Sequence, residues 1–205
     1  MYTKLVQDPR ERANTTFSFR TLDDIFTNDE INKIVAYCES QGTEPGKIIS
    51  QNGLEIVEDG YRKSNIKFHS CNQDTVWIFQ RVFQAAEFIN ENYYNFKLNG
   101  CDSFQYTEYN GKESKSDYHI DTILDPVENF GQTRKLSLSI CLSAHGKDYT
   151  GGDFHIVTNP QHPFAVEQKK GKAIFFPSFV MHGVTPILSG SRKALVFWFT
   201  GPKFQ

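Results

Sequence analysis

Leu136-Ser137-Leu138-Ser139-Ile140-Cys141-Leu142-Ser143 alternates apolar and small polar residues without a break. A period of two is that of a β-strand, whose successive side chains point to opposite faces. The stretch therefore reads as a half-buried strand with one apolar face. The same reading extends outward. Upstream, Phe104, Tyr106 and Glu108 alternate with Gln105, Thr107 and Tyr109. From about residue 93, Tyr94, Phe96 and Leu98 alternate with polar neighbours. Downstream, Gly151-Gly152 marks a turn before a strand over Asp153 to Val157, and Ala173 to Phe176 is a short apolar strand entered through Gly171. Ser189-Gly190 is expected to turn the chain into a last strand over Lys193 to Phe199. About eight short strands after two helices predict a double-sheet jelly roll.

The helices lie in the N-terminal part. Thr27-Asn28-Asp29-Glu30 is a capping-box signature, with Phe26 and Ile31 placed as the hydrophobic staple. Ile31, Ile34, Val35 and Cys38 follow at helical spacing, and Gly42 ends the helix. Asn72 or Asp74 is the expected cap of a second helix, whose apolar stripe is Ile78, Val82, Ala85 and Ile89, widened by Phe79, Phe83 and Ala86. Between the helices, Pro45, Gly46, Gly53 and Gly60 mark a loop or short hairpin. The stretch 43–67, with Tyr61 and Arg62, is a candidate cover for a pocket.

A chain of 205 residues with 39% hydrophobic residues suits one domain, 1–205. Its class is mainly β with N-terminal helices: helical support over about 21–97 and a strand core over about 98–205. Eighteen Phe, nine Tyr and two Trp favour sheet packing. A net charge of −2 leaves no electrostatic footprint for duplex nucleic acid. Cys38, Cys71, Cys101 and Cys141 lack metal- or redox-type spacing and read as free thiols in a reducing compartment. Met1 is followed by charged and polar residues, and no run of about 18 apolar residues occurs. A cytoplasmic location (a host cell's cytoplasm for a virus-encoded chain), no membrane partner and a monomer or homodimer are the expectations.

Residues that carry chemistry cluster among the strands. In His119-Ile120-Asp121 the alternation puts imidazole and carboxylate on one face. His182 follows in Phe175-Phe176-Pro177-Ser178-Phe179-Val180-Met181-His182-Gly183-Val184-Thr185-Pro186, and Arg192 in Ser189-Gly190-Ser191-Arg192. Two imidazoles and one carboxylate cover one face of a metal and leave positions open, a donor set suited to non-haem Fe(II). Arg192 comes ten residues after His182, where antiparallel strands across a Ser-Gly turn would bring it near the metal. Lys193 would then point to the opposite face, while Trp198 shares the parity of Arg192 and is expected to line the pocket. Cys141 is expected to face the pocket as well. His69, His145, His155 and His162 read as structural or exposed. His155 is the one to watch, because it shares parity with Asp153, itself read as a turn residue.

With these residues the chain resembles the iron- and 2-oxoglutarate-dependent oxygenases, in particular the prolyl 4-hydroxylase-like branch with the PKHD-type hydroxylases. Four stretches carry the resemblance: Tyr109-Asn110-Gly111 ten residues before His119, the Leu136–Ser143 strand leading to Tyr149-Thr150-Gly151-Gly152-Asp153, the His182 segment, and the strand from Arg192 to Trp198. They span roughly residues 100 to 200. The resemblance implies a double-stranded β-helix and an Fe(II) held by His119, Asp121 and His182. It implies oxidation of 2-oxoglutarate and O2 coupled to hydroxylation of a C–H bond, with ascorbate as an accessory reductant. The distal carboxylate of 2-oxoglutarate then needs a buried cation, and Arg192 suits it because guanidinium stays charged and matches carboxylate geometry. Tyr109 is the second expected contact to the cosubstrate.

A peptidyl prolyl substrate follows by analogy with the branch. The alternatives are a hydroxylase of a free amino acid, small metabolite or nucleobase, a cupin-like metal- or sugar-binding module, and a zinc hydrolase using the same three ligands. Arg192 speaks against a module that binds metal alone. Selectivity for the substrate is expected in the insert between Asp121 and Arg134.

Overall fold

Two antiparallel sheets packed face to face enclose the site. The computed structural model describes residues 19–46, 48–49, 55–56, 60, 62–122 and 131–203. The larger sheet runs β1 (Arg20–Leu22), β13 (Ala173–Pro177), β9 (Gln132–Cys141), β15 (Ile187–Pro202), β7 (Ser103–Asn110), β6 (Asn65–Ser70) and β2 (Glu44–Pro45). To it is added β10 (Tyr149–Gly151), which pairs with the start of β15. The smaller sheet runs β12 (Phe164–Val166), β11 (Phe154–Val157), β14 (Met181–Val184), β8 (Lys115–His119) and β5 (Arg62–Lys63). A separate pair joins β3 (Ile48–Ile49) to β4 (Glu55–Ile56).

The register of the central strands sorts their side chains. Leu195 pairs with Ile140 and Tyr106, and Phe197 with Leu138 and Phe104, so these residues share one face. They form a buried cluster with Ile31, Ile34 and Cys38 of α1 (Asn28–Ser40) and Ile78, Val82 and Ile89 of α2 (Val76–Ile89). Each such side chain stabilises the fold by roughly 1.5–3 kcal/mol through burial. The opposite face of the same strands packs toward the smaller sheet. There Tyr109, Tyr149, Ile174 and Phe176 of the larger sheet cluster with Phe154, Ile156, Val166 and Val184 of the smaller one.

The alternation of β9 therefore means something other than one wet face. Ser137, Ser139, Cys141 and Ser143 are as buried as the leucines between them. Their face is the interior between the sheets.

The capping box of α1 is formed as expected: Thr27 Oγ1 accepts from the Glu30 N–H at 3.2 Å, and Glu30 Oε2 accepts from the Thr27 N–H at 2.8 Å. Three other expectations are corrected. The cap residue of α2 is Thr75, without a side-chain cap bond. Asn72 instead orders the preceding turn, its Oδ1 accepting from the N–H groups of Asp74 and Thr75. Tyr94, Phe96 and Leu98 are not in a strand. Helical backbone continues through Asn90–Tyr94 in a wider π-type turn, closed by Asn95 at φ 54°. Ser189-Gly190 does not turn the chain, since β15 is continuous from Ile187 to Pro202. Gly190, at φ +77°, instead lets β15 lie against the Asp148 carbonyl, where a Cβ would collide. Of the loop or short hairpin expected after α1, the hairpin pairing forms between β3 and β4, and the described residues of 43–67 also include β2, β5 and the start of β6. Tyr61 and most of the insert after Asp121 (123–130) lie outside the described residues. Among the described residues no helix is long and apolar enough to cross a membrane.

Candidate metal centre and its anion pocket

His119 and His182 face each other as a cross-strand pair of β8 and β14, their ring centroids 4.4 Å apart. Asp121 lies just past the end of β8. Its N–H and that of Thr122 both donate to the Ser178 carbonyl, at 2.8 and 3.0 Å. The period of two survives there, because Ile120 is exposed and Asp121 is buried.

Both imidazoles are oriented from behind. His119 Nδ1 lies 2.7 Å from the Asp117 carbonyl and His182 Nδ1 lies 3.0 Å from the Val180 carbonyl. A carbonyl only accepts, so the ring hydrogen belongs on Nδ1, and Nε2 of the neutral ring keeps its lone pair. The two Nε2 atoms point at Asp121, 3.7 Å from Oδ1 and 3.4 Å from Oδ2 respectively. One donor atom from each of the three residues lies within 4.8 Å of the others. Burial, with His182 adding to it, pushes His119 down to about 4. Burial alone would raise Asp121, but His182, His119 and the Ser137 hydroxyl outweigh it and hold the carboxyl below its ordinary value. With the ring hydrogen of each imidazole on Nδ1 and the carboxyl ionised, the three residues aim donor atoms at one point, an arrangement that a divalent cation satisfies.

The larger sheet supports this centre. Ser137 Oγ donates to Asp121 Oδ2 at 2.7 Å and lies 2.9 Å from Ser178 Oγ. Phe176 backs His182 at 4.5 Å between ring centroids. Trp198 is the cross-strand neighbour of Ser137, so it lines the interior beside the centre, and Arg134 stacks on its ring at 4.0 Å.

Arg192 lies further along the same interior face of β15. It is only 1% exposed, yet it meets no carboxylate among the described residues. Its Nε and Nη2 both donate to Gln168 Oε1 at 3.2 Å. The Tyr149 hydroxyl donates to the same oxygen at 3.1 Å. Tyr109, the cross-strand neighbour of Arg192, sets its ring 5.4 Å from the guanidinium carbon. Gly152, at φ +64°, leaves room for the Arg192 stem, which a Cβ there would approach to 3.3 Å.

Arg192 is thus inside, as its parity requires, but by a different route from the one expected. His182 and Arg192 stand on facing sheets, not on neighbouring strands of one sheet. Lys193 points the other way, to Glu39 of α1 and Glu108. Cys141 is buried toward Tyr149 and Gln168. His155 faces away from the centre, since Ile156 and not His155 pairs with His182, and its Nδ1 meets the Tyr118 hydroxyl at 2.7 Å. Asp153 is 3.8 Å from His145 and takes no part in the centre. Sequence reading assigned no role to Ser137, Tyr149 or Gln168. The first two sit in quoted motifs, and their inward parity was the signal; Gln168 carries none.

Comparison with known proteins agrees with this geometry. Residues 104–200 match the family described as the 2OG-Fe(II) oxygenase superfamily. A PKHD-type hydroxylase of Bordetella pertussis is 31% identical over 94 residues, 45% of this chain and 41% of that protein. The chain spans about two fifths of the length of the curated relatives it matches. A crystal structure of a Pseudomonas putida prolyl-4-hydroxylase superposes with a TM-score of 0.70 at 17% identity, covering 93% of this chain and 95% of that one. A Trichoplax adhaerens prolyl hydroxylase, solved with a peptide fragment of the hypoxia inducible factor oxygen degradation domain, superposes at 0.71 with 16% identity, covering 92% and 86%. The two-sheet roll is the double-stranded β-helix of these enzymes.

Proposed function

We propose that this chain, whose residues 104–200 match the model of the 2OG-Fe(II) oxygenase superfamily, is a member of it: an Fe(II)- and 2-oxoglutarate-dependent dioxygenase that hydroxylates a C–H bond, with a peptidyl prolyl residue as substrate. The observation that carries the reading is one interior holding both a convergent His119/Asp121/His182 set and a buried Arg192 that meets no carboxylate among the described residues.

In this reading His119, Asp121 and His182 hold Fe(II). Bound there, the metal supplies redox chemistry in which 2-oxoglutarate and O2 become succinate and CO2 while one oxygen atom enters the substrate C–H bond as hydroxyl. The chain's own residues do the rest. The Asp117 and Val180 carbonyls keep both imidazoles in the ligating tautomer. Ser137 holds Asp121 in place. Arg192 neutralises the distal carboxylate of the cosubstrate, with Tyr149 donating beside it and Tyr109 walling the guanidinium face. Burial raises the Tyr149 phenol well above its ordinary range, so it remains a hydrogen-bond donor. Trp198, beside Ser137, lines the substrate end. The prolyl assignment leans on relatives and neighbours that are hydroxylases, one of them bound to a peptide.

The test is turnover of 2-oxoglutarate to succinate by purified protein with Fe(II), ascorbate and O2, followed by mass spectrometry of proline-containing peptides for a gain of one oxygen. Succinate formation that His182→Ala abolishes supports the reading. Absence of succinate with iron verified as bound shifts the assignment to a binding module.

A further inference from the structure

Gln168 Oε1 is the meeting point of three donors. Arg192 supplies Nε and Nη2 at 3.2 Å each and Tyr149 its hydroxyl at 3.1 Å, while the Cys141 sulfur lies 3.7 Å away with its hydrogen nearer the Ser143 carbonyl, at 3.3 Å. An amide oxygen has two lone pairs, whereas a carboxylate offers about four acceptor sites on two oxygens. The cluster therefore holds three donors where its present acceptor can serve two, and a carboxylate can serve all three. The occupied edge of Arg192 matters too. Nε and Nη2 are parallel donors of the kind that grip a carboxylate in bidentate fashion. Here both converge on one amide oxygen.

Gln168 is also free to leave. It belongs to the connection between β12 and β13, outside any strand, and is half-buried where Arg192 is fully buried. Its second anchor is one long bond from Nε2 to the Gly152 carbonyl, at 3.4 Å.

We propose that Gln168 is a built-in stand-in for the distal carboxylate of the cosubstrate. Its side-chain oxygen satisfies Arg192 and Tyr149 in the ligand-free protein and withdraws when a dicarboxylate arrives, so Gln168 sets the cosubstrate's affinity. This rests on the proposed assignment of 2-oxoglutarate to the Arg192 pocket. The physical basis is competition. A buried guanidinium with no acceptor is costly, so Gln168 lowers the energy of the ligand-free state only, and whatever stabilises that state alone weakens binding. Removing the stand-in destabilises the empty protein and tightens the ligand. Replacing it by a carboxylate does the reverse, because Glu at this position forms a lasting ion pair with Arg192 and repels the incoming anion.

The experiment is calorimetric titration of 2-oxoglutarate into the Mn(II)-loaded full chain, with thermal melting of the ligand-free protein, for wild type, Gln168→Ala and Gln168→Glu. Gln168→Ala is expected to melt lower and bind at least about threefold more tightly. Gln168→Glu is expected to melt higher and bind at least about tenfold more weakly. Mn(II) affinity should stay constant throughout. A wild type that binds 2-oxoglutarate alongside a Gln168→Ala variant with unchanged or weaker binding overturns the stand-in and makes Gln168 a supporting contact. If wild type and both variants all fail to bind 2-oxoglutarate, the cosubstrate assignment falls, and the stand-in with it.

Discussion

The two faces of the larger sheet read differently in the sequence, one apolar and one polar, yet both are buried in the fold and serve different ends. On the outer face, Leu138, Ile140, Leu195 and Phe197 meet the helices in an apolar cluster. On the inner face, Ser137, Ser139, Cys141 and Arg192 are equally buried but polar. Polar groups taken from water cost free energy unless they are paired. The inner face meets that cost in pairs: Ser137 with Asp121, and Arg192 with Gln168. One face supplies stability through area, and the other holds a few donors and acceptors at fixed places. A buried polar face opposite an apolar one marks the interior of a site.

The sharpest way to break this division is at the metal end. His182→Ala removes one of the three proposed ligands and should abolish stoichiometric Fe(II) or Mn(II) binding while the circular dichroism of the fold persists. Full metal stoichiometry in that variant would refute the ligand set.

On the outer face, Phe197→Ala should destabilise the chain by about 3–5 kcal/mol, lowering Tm by roughly 6–20 °C in a chain of this size. Metal affinity should hardly move, since Phe197 touches no group of the centre. A Phe197→Ala protein of ordinary stability but impaired metal binding would show that the faces are not separable.

Adjacent residues on opposite faces give a finer contrast. Arg192→Ala should raise the KM for 2-oxoglutarate at least roughly tenfold, because 1.4 kcal/mol is a factor of ten and a charge-assisted pair contributes more. Lys193→Ala breaks only contacts with Glu39 and Glu108, and should leave KM within about twofold. The reverse pattern would mean that the register of β15 is shifted by one. Ser137→Ala should lower metal affinity by about tenfold, as loss of a bond that orients a ligand does; unchanged affinity would leave Asp121 held by its backbone alone.

The last expected effect is a pH dependence of the metal-free protein. His119 titrates near 4 in the fold and near ~6.5 when unfolded. Between those values the unfolded state binds more protons, so stability rises with pH there. Metal-free protein should lose stability as pH falls from ~6.5 toward 4, read as the urea midpoint, and His119→Asn should flatten that slope. A slope of equal size in the variant would assign it elsewhere.

The sequence was legible wherever one local rule governed several residues. Parity along His119-Ile120-Asp121 and along Arg192 to Trp198 placed each side chain on its correct face, because strand geometry fixes that alternation whatever the sheet packs against. The Thr27/Glu30 box was legible for the same reason: it closes within four residues. Local rules failed where the partner was distant. Ser189-Gly190 looked like a turn, yet Gly190 serves a close approach to Asp148, which lies 42 residues earlier in the chain. Tyr94 matched an alternation that a π-type turn interrupts.

The sequence by itself determined the sheet-forming periods, the two helices, the His119, Asp121 and His182 set that converges in the fold, and the inward parity of Arg192. Only the tertiary structure decided what the polar face of Leu136–Ser143 meets, and that His182 and Arg192 reach one interior from opposite sheets. It alone brought Gln168 onto Arg192 across 24 residues of chain. The physical reason is range. Backbone alternation and capping are set by neighbours a few residues apart, whereas the partner of a buried polar group is chosen by the packing of whole sheets.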